Sequence, residues 1–248
     1  MLKDFAALDF DIIVQAGQSN SDGTGYGFTE VPFCPQENIW YLERNMTIRQ
    51  AEEYVEGNRI RTNFSLPFAD RYVHAGMLAP GRHLLIIRAA IGGTGFLDNR
   101  WKPQDDLFCH MVFMIRTMKA LNPKNRFVSL LWHQGETDAI LNSDYVTYYN
   151  HLSTLVRLTR EACGEPELPF IAGDFVQDWK SKNAAICEPV ISATRALCAG
   201  LSRAAFVESI GLESNNEDCG NGDDIHFCRS ATYTLGGRYF DAFKDIVT

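Results

Sequence analysis

The chain has 248 residues, 46% of them hydrophobic and 22% charged, with a net charge of −8. Such ordinary globular usage excludes wholesale disorder and collagen-like repeats. The acidic balance argues against nucleic acid or an anionic membrane as partner, because phosphates are held by clustered Lys and Arg. No run reaches the roughly 18–20 apolar residues that span a bilayer.

The chain opens Met1-Leu2-Lys3-Asp4-Phe5, with neither a signal-peptide apolar region nor a small-residue cleavage site, so a cytoplasmic protein is expected. Residues 11–16 read as a buried strand, a short continuous apolar run covered on both faces. Residues 21–63 break the rhythm and read as an irregular insertion. Within it, 38–42 and 46–50 could pair as a small hairpin. A second strand is expected over 84–90. A helix follows over 105–121, with Leu107, Phe108, Met111, Val112, Ile115 and Met118 at spacings of three and four, until Asn122-Pro123 stops it. The third strand is 127–133. The next helix, 143–163, takes Ser143 as its N-cap and Gly164 as its stop. The fourth strand is 169–173, a helix over 184–199 ends at Gly200, a weaker fifth strand is 205–209, and a helix over 230–247 closes the chain.

Alternating strands and helices predict a parallel sheet with helices on both faces, in one domain covering residues 1–248. The seven cysteines (Cys34, Cys109, Cys163, Cys187, Cys198, Cys219 and Cys228) are odd in number and form no CxxC pair. A reducing compartment is the simpler reading, and a metal site has little support.

Open parallel sheets bind ligands beyond the carboxyl ends of their strands. Four segments would lie there: Gly17-Gln18-Ser19-Asn20, Ile91-Gly92-Gly93-Thr94-Gly95, Gln134-Gly135-Glu136-Thr137-Asp138, and Asp174 through Trp179. Ser19 would expose its hydroxyl in a tight turn. By itself it reads more readily as a cap or turn residue, because a serine nucleophile needs an adjacent base. His226 could be that base if a carboxylate held its other ring nitrogen. Asp223, three residues ahead, fits that spacing, with Asp224 as competitor. Gly92-Gly93 could bring backbone N–H groups to a developing oxyanion, or be a plain turn. The Gln134 amide could donate to the same oxyanion. Glu136 is expected to orient loops. Neither a GxGxxG nor a GxxxxGK[ST] fingerprint occurs.

Taken in order, Gly17-Gln18-Ser19-Asn20, Gly92-Gly93-Thr94, His133-Gln134-Gly135-Glu136-Thr137-Asp138 and Asp223-Asp224-Ile225-His226 resemble the signature blocks of the sialate O-acetylesterase and acetylxylan esterase branch of the SGNH (GDSL-like) hydrolases. The resemblance implies a flavodoxin-like three-layer α/β/α sandwich on a five-stranded parallel sheet. It implies a serine esterase, free of metal and cofactor, that removes O-acetyl groups from carbohydrates: acetylated xylo- or other oligosaccharides, or O-acetyl sialic acid. Ser19 would be nucleophile, His226 base and Asp223 its orienting acid. The oxyanion hole would use the Ser19 N–H, Gly93 (or Gly92) and Gln134, with Gln18 and Glu136 in support.

Around this centre, Trp101, Trp179 and Arg100 are candidates for holding substrate, although both rings could equally cover the core edge. Arg88 could meet a substrate carboxylate but reads more readily as a buried ion-pair partner, of Glu136 among others. Tyr26, Phe28 and Phe33 could wall the pocket. The competing readings are a general short-chain carboxylesterase and a non-catalytic sugar-binding protein on a flavodoxin-like fold.

Overall fold

The computed structural model describes residues 2–27, 33, 36–56 and 59–248. After a 3-10 turn (Leu2–Phe5), the elements are β1 (Phe10–Gly17), α1 (Ser19–Asp22), β2 (Gly25–Gly27), β3 (Ile39–Leu42), β4 (Ile48–Gln50), β5 (Tyr54–Glu56), β6 (Arg59–Thr62), α2 (Ser65–His74), β7 (His83–Arg88), α3 (Asp106–Leu121), β8 (Arg126–His133), α4 (Glu136–Ile140), α5 (Tyr145–Cys163), β9 (Phe170–Gly173), α6 (Gln177–Lys182), α7 (Ala184–Gly200), β10 (Ala204–Val207), α8 (Asn215–Cys219) and α9 (Arg229–Val247). Among the described residues no helix is long and apolar enough to cross a membrane.

β1 is buried along its whole length. Ile12, Val14 and Ala16 face the core shared with α3, α5 and α7, whereas Ile13 faces the core shared with α2 and α9. Alternate side chains of a strand point to opposite faces, so an unbroken apolar run becomes a strand covered on both sides.

The five strands read from the sequence lie side by side in the order β7-β1-β8-β9-β10, all parallel. This is the flavodoxin-like order, in an α/β/α arrangement. The sheet is wider than those five strands. β3 joins the free edge of β7 in parallel, and β4 pairs antiparallel with β3. The hairpin anticipated within 21–63 is thus the sheet's own edge. Ile39, Tyr41 and Leu42 are wholly buried, and their apolar surface draws β3 onto the core. A separate antiparallel sheet, β2-β6-β5, lies in the same stretch.

The cap of α5 is also corrected. Asp144, not Ser143, accepts from the Thr147 N–H at 2.9 Å. A carboxylate at that end faces the positive pole of the helix, which favours it over a hydroxyl one residue earlier.

Candidate active site

β7 and β8 leave β1 on opposite sides, so the segments after all three strands meet where the strand order reverses. Gly17 makes the turn possible. Its φ is +131°, and a methyl group there would stand 2.1 Å from the His133 carbonyl oxygen. That oxygen accepts from the Gln18 N–H at 3.0 Å, and the next residue, Ser19, opens α1.

His226 reaches Ser19 from the far end of the chain, on the segment between α8 and α9. The capping box of α8 stiffens that segment: the Ser214 hydroxyl accepts from the Glu217 N–H at 3.0 Å and Glu217 accepts from the Ser214 N–H at 2.7 Å. The Asn215 and Asn216 N–H groups donate to the carbonyls of His226 and Asp223, each at 2.8 Å.

His226 Nε2 lies 2.8 Å from Ser19 Oγ, and His226 Nδ1 lies 2.8 Å from Asp223 Oδ1. The Asn215 amide donates to the other Asp223 oxygen at 2.8 Å. Asp224 turns away, to Lys182 at 2.9 Å. Burial raises the Asp223 carboxyl, but the hydrogen bonds from His226 and Asn215 outweigh it and hold the group below its ordinary value. An ionised carboxylate only accepts, so Nδ1 carries the ring proton and Nε2 is left to accept from the serine hydroxyl. The chain thus contains a serine, an imidazole in the tautomer a general base requires, and an acid that holds it there.

Gly92 lies against the serine: a methyl group on it would stand 3.5 Å from Ser19 Cβ. Gly93 takes φ +68° with open space around it. Among the described residues, the N–H groups of Ser19, Gly92 and Gly93 have no protein acceptor. They are the donors available to an oxyanion beside Ser19.

Gln134 departs from expectation. Its amide nitrogen donates to Asp138 at 2.6 Å, with Thr94 O at 3.2 Å and Gln18 Oε1 at 3.3 Å. Both amide hydrogens are therefore engaged inside the protein. The reason is Asp138, a buried carboxylate that also gathers the Phe96 and Leu97 N–H groups and needs every donor it has. In this structure Gln134 braces the rim, its amide turned to Asp138, Thr94 and Gln18. Gln18 is a brace too, its oxygen accepting from the Thr137 N–H at 3.1 Å. Glu136 is fully buried and accepts from Asn20 at 2.8 Å.

The residues expected to hold substrate have these surroundings. Trp101 is wholly buried, donates to Thr94 Oγ1 at 2.9 Å and meets Trp132 edge-on at 5.3 Å. Trp179 is 7% exposed and packs on Phe175. Both rings serve the core, because their burial in it outweighs any exposed role. Arg100 grips both oxygens of Asp106 at 2.8 and 2.9 Å, fastening the loop after β7 to α3. Arg88 pairs with Asp22 and Glu43, not Glu136, and stacks on Tyr41 and Tyr54. Tyr26 lies under Arg61, and Phe33 packs on the α2–α9 core. Phe28 lies outside the described residues.

Two site residues were missed from the sequence: Asn20 and Asn215. The Ser214-x-x-Glu217 spacing, a capping-box pattern, could have located α8 and with it Asn215.

The fold and this constellation define an SGNH-type hydrolase. The model of the family described as "Carbohydrate esterase, sialic acid-specific acetylesterase" matches residues 9–245, and the chain belongs to that family. A curated relative, the probable 9-O-acetyl-N-acetylneuraminic acid deacetylase of Escherichia coli (strain K12), is 29% identical over 89 residues. That match spans 33% of this chain and 27% of the relative. The crystal structure of NanS superposes with a TM-score of 0.77 at 17% identity, covering 95% of this chain and 97% of that one. A protein from Arabidopsis thaliana superposes at 0.75 with 20% identity, covering 96% and 98%.

Proposed function

We propose that this chain is a serine esterase that removes O-acetyl groups from carbohydrates. The observation that carries the reading is the unbroken line from Asp223 through His226 to Ser19 Oγ, 2.8 Å at each step, beside unengaged backbone N–H groups. Ser19 attacks the ester carbonyl while His226 Nε2 takes its proton. The oxyanion is held by the N–H groups of Ser19 and Gly92 or Gly93, each donor worth about 3–4 kcal/mol in the transition state. His226 then protonates the departing sugar oxygen, leaving an acetyl-serine. Water enters, gives a proton to His226 and attacks the acetyl carbonyl. Acetate leaves and Ser19 regains its proton.

The family description and the name of the Escherichia coli relative favour O-acetyl sialic acid among the acetylated sugars, with xylo- and manno-oligosaccharides as the comparison. The activity resides in one unit spanning residues 1–248, acting in the cytoplasm on small acetylated carbohydrates, without nucleic-acid or membrane partners. Ser19→Ala should fold normally and lose about 10³-fold or more in turnover of a chromogenic acetate. Unchanged turnover would refute the assignment. A panel of acetyl, butyryl and octanoyl esters, followed by acetate release from each acetylated sugar, separates sugar deacetylation from general esterase activity.

A further inference from the structure

The residue after the nucleophile holds the base from behind. The Asn20 side-chain oxygen accepts from the Phe227 N–H at 3.1 Å, and its amide nitrogen donates to the Ile225 carbonyl at 3.0 Å. These two peptide groups flank His226. The remaining amide hydrogen goes to Glu136 Oε1 at 2.8 Å. A backbone N–H can only donate, so the Asn20 oxygen must face Phe227 and its NH2 must face the two acceptors. All three contacts then agree, and none is left to chance.

We propose that Asn20 and Glu136 form a positioning pair that sets His226 against Ser19, Asn20 by gripping the backbone on both sides of the imidazole and Glu136 by orienting the Asn20 amide. The inference rests on the esterase reading above. Asn20 shares the α1 turn with Ser19, so one short side chain ties nucleophile and base across 207 positions of sequence. Asp223 and Asn215 fix the ring's tautomer and outer side. Among the described residues, Asn20 is the side chain that holds this backbone from the serine side.

Glu136 sits where burial disfavours a charge. It is wholly buried, with Asn20 as the partner of one oxygen and no protein partner for the other among the described residues. Burial pushes its carboxyl above the ordinary range, against the smaller opposing pull of the Asn20 bond. An ionised carboxylate in this place would be left short of donors. Orientation needs only the carbonyl oxygen, which a glutamine also carries. The role therefore needs shape and a hydrogen-bond acceptor, both of which a glutamine keeps.

The test is steady-state kinetics on an acetate ester with Asn20→Ala, Glu136→Ala and Glu136→Gln. Asn20→Ala and Glu136→Ala should each lower kcat by about 10- to 100-fold through a misplaced base, with KM within about twofold of wild type. Glu136→Gln should restore kcat to within about threefold of wild type. Wild-type kcat in Asn20→Ala overturns the proposal, as does a Glu136→Gln variant as impaired as Glu136→Ala. Should the alanine variants fail to fold, Glu136→Gln alone decides: kcat within about threefold of wild type supports the pair, and a loss of about 10-fold or more overturns it. A wild-type chain that turns over no acetyl ester removes the esterase reading and the pair with it, whereas a Ser19-dependent activity indifferent to Asn20 removes only the pair.

Discussion

At the β1 terminus, Gly17 carries a positive φ, and its missing side chain is where the His133 carbonyl comes closest. A backbone oxygen cannot swing aside as a side chain would. Gly17→Ala should therefore cost about 3 kcal/mol or more, from the clash and the strained φ together. Urea unfolding measures it, and a loss below about 0.5 kcal/mol would contradict this reading. Single residues were legible where chemistry restricts the residue type: few side chains serve as nucleophile or base, and glycine alone suits a positive φ beside a carbonyl. Gln134 and Trp101 show the opposite. A side-chain amide or an indole suits many environments, and which one it meets is decided by how neighbours such as Asp138 and Trp132 pack around it.

α8 is only five residues long, yet its backbone and Asn215 hold the acid and base of the relay. Such a short helix depends on its cap. Ser214→Ala should cost about 1 kcal/mol of stability, and turnover should fall several-fold as the Asp223–His226 segment loosens. Urea midpoints and kcat on the same samples check both, and a variant that loses stability without losing turnover would separate α8 from the site. The strands β1, β7, β8 and β9 were readable because burial on both faces leaves an unbroken apolar run. β2, β5 and β6 were not: each is three or four residues, too short for a period to show. α2 was missed for a related reason, since its ten residues follow directly on that irregular stretch.

Across the whole molecule, buried titratable groups set the acid response. His133 is fully enclosed, and burial lowers its imidazole from 6.5 to about 3. The unfolded chain binds that proton below about pH 6.5 while the native protein excludes it, so the His133 contribution to stability declines as pH falls from there toward 3. Glu136 acts oppositely: its raised carboxyl keeps a proton that the unfolded chain loses, so its penalty shrinks as pH falls toward the ordinary carboxylate range. Comparison with His133→Gln isolates the histidine. Between pH 6 and 5 the stability of wild type relative to this variant should drop by roughly 1.2 kcal/mol, a little under the value of one proton per pH unit. A pH-independent difference would show that His133 takes up a proton in the native state.

The sequence alone determined the class of sheet and which residues could serve as nucleophile, base and acid, because burial pattern and chemical competence are written locally, and the family resemblance added the strand arrangement and the choice of relay. Tertiary structure alone decided that β3 extends the sheet, that Gln134 serves Asp138, and that Asn20 reaches around His226. The first depends on where apolar surface finds cover and the other two on which buried polar group finds which partner, and a hydrogen bond such as that from Phe227 to Asn20, spanning 207 residues, leaves no periodic mark in the chain.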